Sequence, residues 1–286
     1  MEERRPVQFG VSTQFVHAQR LRREHLAAVR THGFDAVEIV ATRSHVDYHD
    51  ASVLDEVAGW LTAEGLRLHA IHAPMTERFT GRWVGPFNNA STQPLMRERA
   101  VRETLTALGL AARVPVSVLV LHAGLPTSLV TSEAENNRES ARRSVETIAE
   151  AAATLGVRVA LEVIPNALST PESLVALVED ELDLPNVGIC LDMGHAHMMS
   201  DVVESIETMS GSIIATHVHD NHGTQDEHLL PFDGTIDWPA ALIALEKVGY
   251  EGTMVLELAG SDGPARTLAG ARDARTRLSD IAGSWS

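Results

Sequence analysis

The sequence is poor in the features that mark several classes of protein. It has one cysteine, Cys190, among 286 residues, which excludes an internal disulfide framework and a cysteine-rich zinc module. No apolar run approaches the roughly 20 residues of a membrane span. The opening MEERRPVQFG lacks the apolar core of a secretory signal, so a reduced, cytoplasmic location is the expectation. Aromatic residues make up only 4%, which disfavours a stacking platform for single-stranded nucleic acid. Positive charge is scarce: 23 Lys and Arg against 39 Asp and Glu give a net charge of −16, which argues against a general polyanion binder. There is no low-complexity segment, no linker, and no glycine-rich phosphate fingerprint after the first strand-like run.

What remains is an ordinary globular composition, 44% hydrophobic and 22% charged, at a length that buries a full core without covalent staples. Short apolar, β-branched runs recur at Gln8–Ser12, Ala36–Val40, Arg67–His72, Ser117–His122, Arg158–Val163, Val187–Asp192, Ile213–His219 and Thr253–Leu258. Helix-like stretches lie between them. Pro94–Leu110 repeats apolar residues near the helical period. Asn136–Leu155 ends at Gly156, a C-cap signal. Thr170-Pro-Glu-Ser and Asp237-Trp-Pro-Ala each supply an N-cap with proline in the first turn. Eight strand–helix units predict an α/β fold, a (β/α)₈ TIM barrel forming a single domain over residues 1–286, rather than an open doubly wound sheet. The longest connection, Met75–Gln93, is expected to be a lid or substrate loop.

Residue types that bind metals crowd the C-terminal ends of these runs, the face on which barrel active sites are built. The third run ends in His72 and the fourth in His122. The fifth carries Glu162, the sixth ends in Asp192 with His195 three residues on, and the seventh runs into His217 and His219. The next loop holds Asp226 and His228, and the eighth run carries Glu257. Of His217 and His219, only one is expected to face the mouth. Each residue alone has a bland reading: a hydrogen-bonded core histidine, an Asp192 helix cap beside a surface His195, a paired carboxylate. Together, unbalanced acids converging on one mouth would cost on the order of several kcal/mol, and a divalent cation is the simplest counter-charge. Mixed imidazole and carboxylate ligands suit Zn²⁺, Mn²⁺, Co²⁺ or Fe²⁺, with Mg²⁺ a further option, rather than Ca²⁺. His25, His32, His69 and His197 read as structural. Glu38 reads as a substrate contact or a salt bridge inside the barrel. Trp83, with Arg78, Arg82, His45 and His49, reads as a loop residue above the mouth, and Asn221 and His219 as residues orienting ligands.

The segments LEVIPN, LDMGHAH and HVHDNHGTQDEHLLPFDGTIDW resemble the xylose isomerase-like TIM-barrel superfamily. Its members include sugar isomerases and epimerases, inosose dehydratases and AP endonucleases of the endonuclease IV type. The resemblance covers nearly the whole chain. Similarity to the epimerases implies that Glu162, Asp192, His217 and Glu257 hold one metal. It also implies that Glu162 and Glu257 act as acid and base, moving a proton through a metal-stabilised enediolate. His195 is then a substrate contact, with His219, Trp83 and Glu38 as further substrate-binding candidates. Similarity to the endonucleases implies a larger set. His72 and His122 hold a first ion with bridging Glu162, Asp192, His217 and Glu257 complete a second, and His195, Asp226 and His228 hold a third. Against a DNA enzyme, the loops Thr13–Arg23 and Ala41–Asp50 hold Arg20, Arg22, Arg23 and Arg43 but no basic stripe. Phe232 and Asp233 also depart from the endonucleases' GEG-type turn. The expectation is an isomerase or epimerase of a sugar or sugar phosphate with one to three divalent ions. The alternatives are a trinuclear zinc phosphoesterase, a dehydratase or lyase acting on a polyol, and a non-enzymatic sugar-binding barrel. The expected partner is a small sugar or polyol, not nucleic acid or membrane, with homo-oligomerisation left open.

Overall fold

The computed structural model of the chain describes residues 7–130, 132 and 135–283. Its strands are β1 (Gln8–Ser12), β2 (Ala36–Val40), β3 (Arg67–His72), β4 (Thr76–Phe79), β5 (Trp83–Pro86), β6 (Val118–Leu121), β7 (Arg158–Glu162), β8 (Val187–Asp192), β9 (Ile213–Val218) and β10 (Thr253–Leu256). Eight of them form a closed parallel barrel in the order β1-β10-β9-β8-β7-β6-β3-β2, with β2 pairing back onto β1. This is the TIM barrel that the eight apolar runs predict.

The strands are buried on both faces, which is why they read as near-continuous apolar runs rather than alternating ones. Their outward residues pack with the helices in one large core. Their inward residues form a separate layer of mostly small side chains: Ala70, Val118, Val120, Ala160, Cys190 and Ala215. Side chains two apart share a face of a strand. The residues two positions beyond Ala70, Val120, Ala160, Cys190 and Ala215 are His72, His122, Glu162, Asp192 and His217. The barrel interior is thus narrow and apolar below, and polar in the layer above.

Two helices begin at the predicted caps Thr170 and Asp237, and the helix expected from Asn136 begins after a cap at Asn137. Asn137, Thr170 and Asp237 each accept a hydrogen bond from a backbone N–H in the first turn of Arg138–Thr154, Pro171–Val175 and Trp238–Lys247. Gly156 follows the first of these with φ +69. The helix Pro94–Ala107 tightens into a 3₁₀ turn at Leu108–Leu110.

Two differences from the sequence reading bear on function. The strands stop at Leu121, Glu162, Val218 and Leu256, so His122, Val163, His219 and Glu257 lie just past them, with the Val163 and Glu257 amides still bonded to Cys190 and Val218 of the neighbouring strands. Also, Met75–Gln93 is not an open loop throughout. β4 and β5 form an antiparallel hairpin in which Phe79 pairs with Trp83, and an ion pair from Arg99 to Glu77 ties it to the neighbouring helix. Among the described residues, no helix is long and apolar enough to cross a membrane.

Candidate metal and substrate site

Glu162, at the end of β7, is 1% exposed and is the hub of the mouth. His72 Nε2 lies 3.0 Å and His122 Nε2 2.9 Å from its Oε2. His217 Nδ1 donates to its Oε1 at 2.9 Å. From its other nitrogen, His217 donates to Glu38 at 2.9 Å. A ring that donates through both nitrogens is a cation. Burial opposes that charge, but Glu257, Glu38 and Glu162 together hold the His217 pKa well above its usual value. Conversely, burial would keep Glu162 protonated, yet the His217 and His122 rings hold it well below the usual carboxylate range.

Asp192 does two jobs. Its Oδ1 caps the helix Met193–Met199 by accepting from the His195 amide at 2.7 Å, and it meets His219 Nε2 at 3.0 Å. The cap and the ligand-like contact are therefore one residue, and His195 beside it is buried rather than on the surface. The expectation that only one of His217 and His219 faces the mouth fails. The two are two residues apart and share a face, and both approach Asp192, at 3.7 and 3.0 Å. Gly194 is required beneath them, because a Cβ there would fall 2.0 Å from the His219 ring.

The loop after β9 brings in the rest. Asp226 lies 3.3 Å from His195 Nε2 and 3.2 Å from His228 Nε2. Asp220, which is fully buried, holds this loop by accepting from the amides of Asn221, Phe232 and Ile236 and from the Trp238 indole.

This donor set fits a divalent cation. Ligand atoms of Glu162, Asp192, His217 and Glu257 lie within 4.8 Å of one another, as do those of His72, Glu162 and His217, and those of His195, His219, Asp226 and His228. His72, His195 and His228 each direct Nδ1 at a backbone carbonyl, of Ala73, Val163 and Glu257. That bond fixes the tautomer and leaves Nε2 facing the carboxylates, the arrangement that presents a histidine lone pair to a metal. In the metal-free protein, protons occupy those positions. Against the effect of burial, the acids raise His72 and His228 to about 9 and His195 to about 10.

The remaining predicted residues sort by depth. Trp83 lines the cavity and stacks over His122 at 6.0 Å. Glu38 and His219 are fully buried and outside the cavity lining; Glu38 contacts His217 and His219 contacts Asp192, which also lie beneath that lining. His25, His32, His69 and His197 make local contacts with Arg22, Ala28, Arg67 and Thr235. His49 pairs with Glu103. Sequence reasoning missed Gln14 and His17, which line the same cavity, and the clasp at Asp220.

Residues 26–279 match the family described as Xylose isomerase-like TIM barrel, and the chain belongs to that family. The uncharacterized protein MJ1311 of Methanocaldococcus jannaschii is 29% identical over 88% of this chain and 83% of its own length. The inosose isomerase of Bacillus velezensis is 24% identical over 82% of each. A crystal structure of a D-tagatose 3-epimerase-like protein superposes with a TM-score of 0.81 at 26% identity, covering 97% of this chain and 99% of that one. The relatives thus include sugar isomerases and epimerases.

Proposed function

We propose that the chain is a divalent-metal-dependent isomerase or epimerase of a sugar or sugar-like polyol. The observation that carries this reading is the convergence of Glu162, Asp192, His217 and Glu257, all buried, on one point. Glu162 and Glu257 both line the cavity, and their strands lie three places apart around the ring. A ligand between them has a carboxylate on either side. One carboxylate takes the proton from the carbon beside the substrate carbonyl, and the other returns a proton to the neighbouring carbon or to the opposite face. A divalent cation held by the four residues would supply positive charge for the substrate oxygens as negative charge develops. His195 orients a substrate oxygen, and Trp83 covers an apolar face of the sugar. The relative named inosose isomerase and the structure of a D-tagatose 3-epimerase-like protein support the same chemistry.

Elemental analysis of protein purified without chelator or a metal-binding tag is the test. About one Zn²⁺, Mn²⁺, Co²⁺ or Fe²⁺ per chain is expected, with chelation abolishing turnover on a panel of ketoses and inososes. A chain that holds no metal, takes none up on addition and still turns over a ketose overturns the reading.

A separate observation favours a second reading, a trinuclear zinc phosphoesterase. His72 and His122 on Glu162, and the group around Asp226, offer places for two further ions. That reading predicts about three zinc ions per chain, cleavage of abasic DNA, and loss of metal in His122→Ala.

A further inference from the structure

The mouth has a second wall that the acid cluster does not use. The turn leaving β1, Thr13–Val16, carries Gln14, and His17 follows it. Both line the cavity that also holds Glu162 and Glu257. β1 lies four places from β7 around the eight-stranded ring, so this turn stands across the mouth from Glu162. His17 is 2% exposed. Its Nε2 meets the Thr42 hydroxyl at 2.7 Å, and Phe79 of the hairpin lies flat on its ring at 4.4 Å. Among the described residues its Nδ1 has no partner, and neither does the buried Oε1 of Gln14. Native proteins rarely leave buried polar atoms unmet; of the cavity-lining residues Gln14, His17 and His122 each carry one, and the two on the β1 turn are accounted for by a ligand that meets both.

The charge of this wall limits the ligand. Burial keeps His17 neutral, with its pKa down at about 3. Among the described residues the cavity lining has no lysine or arginine. The single lysine of the chain, Lys247, ends an outer helix, and Arg78 and Arg82 on the hairpin are exposed and outside the lining. A phosphate ester reaching this wall would meet no lysine or arginine side chain, the groups that pair best with phosphate.

We propose that Gln14 and His17 are specificity-determining residues. They hold the far hydroxyls of an unphosphorylated ketose or polyol whose reacting carbons lie between Glu162 and Glu257. The position of those carbons rests on the isomerase reading; the wall itself does not.

The test compares wild type with Gln14→Met, which keeps side-chain length, and His17→Phe, which keeps the stack on Phe79. Each is assayed for turnover and calorimetric binding with D-fructose, D-tagatose, scyllo-inosose, the 5-deoxy and 6-deoxy forms of D-fructose, and D-fructose 6-phosphate. Each variant is expected to raise KM about tenfold with kcat within about threefold, the size of one lost hydrogen bond to substrate. The penalty should vanish on the deoxy ketose that lacks the matching hydroxyl, which a merely structural role would not produce. D-fructose 6-phosphate should bind more weakly than D-fructose. Turnover with an equal penalty on every deoxy ketose, or a preference for the phosphate ester, overturns the proposal and leaves the isomerase reading standing. Binding without turnover, with Kd raised in both variants, removes the isomerase reading and upholds the wall. If no neutral sugar of the panel binds at all, both fall.

Discussion

His72 and His17 are both almost fully buried at the top of the same barrel, yet they carry opposite charge states. Burial pulls both toward the neutral form. Around His72 the acids win, through the Glu162 hydrogen bond and the charges of Glu162, Glu38 and Glu257, and its pKa stands at about 9. His17 faces a hydroxyl, an aromatic ring and other imidazoles, so burial wins and takes it to about 3. His45 and His69, likewise buried, stand at about 4. Residue type and depth are matched, so the neighbours decide. The wall from β3 through β10 is built to hold positive charge, and the wall on the β1 turn to meet neutral oxygens.

The most severe way to break this contrast is to remove the hub of the acid wall. Glu162→Gln keeps the shape and deletes the charge that His72, His122 and His217 all face. Turnover of a ketose accepted by the wild type is expected to fall at least about 10³-fold, within the span of lost acid–base catalysis. Cooperative unfolding should persist. Glu257→Gln should do the same. Near-full kcat in either variant would remove the acid pair from the mechanism.

Only one of the two walls is legible in the sequence. The acid wall follows from strand period: a small apolar residue, then two positions on a ligand type, repeated on five strands from Ala70 and His72 to Ala215 and His217. The same period, applied consistently, also places His219 with His217. The β1 wall has no such signature. Gln14 and His17 sit in a polar turn, and His17 is enclosed by a hairpin carrying Phe79, far along the chain. That hairpin reads as a loop because its strands are only four residues long, TERF and WVGP, and the second ends in Gly-Pro. Asp220 is invisible for a different reason. In sequence it looks like one more site acid, and only the folded loop shows it bonded to backbone amides.

A pH titration of the metal-free protein sharpens the comparison, because the two walls predict limbs of opposite sign. His17, His45 and His69 have folded pKa values of about 3 to 4, below the unfolded value near 6.5. Below pH 6.5 the unfolded chain takes up protons that the folded chain refuses, so stability is lost as pH falls. His72, His228 and His195 have folded values of about 9 to 10. Their contribution is fully present below pH 6.5 and is lost as pH rises through 9 to 10. Urea unfolding at pH 4.5, 6.5 and 9.5 should therefore show a maximum near 6.5, with a loss on the order of 2 kcal/mol per histidine on each side. His17→Phe should flatten the acid limb alone, and Glu162→Gln the alkaline limb alone. Added metal should also flatten the alkaline limb, since it displaces the same protons. A monotonic curve unaffected by either variant would contradict the assignment of the two walls.

Asp220 supplies a third case, a fully buried acid that among the described residues is bonded to backbone amides and an indole rather than to a histidine. Its Oδ1 accepts from the Asn221 and Ile236 amides and its Oδ2 from the Phe232 amide and the Trp238 indole, at 2.8 to 3.2 Å. Four neutral donors satisfy it, so it needs no cation. Those bonds span the loop that carries Asp226 and His228, and that loop holds His228 and Phe232 at φ +47 and +77. Such backbone is kept only when its surroundings enforce it. Asp220→Asn turns one acceptor oxygen into an amide nitrogen and leaves two donors unmet, a cost of about 1–3 kcal/mol. The loss should fall on the loop ligands. In a calorimetric zinc titration, binding on Glu162, Asp192, His217 and Glu257 should stay close to wild type, while any further zinc that the wild type takes up through Asp226 and His228 should bind more weakly. An unchanged melting temperature together with an unchanged titration would mean that the loop is held by contacts other than Asp220.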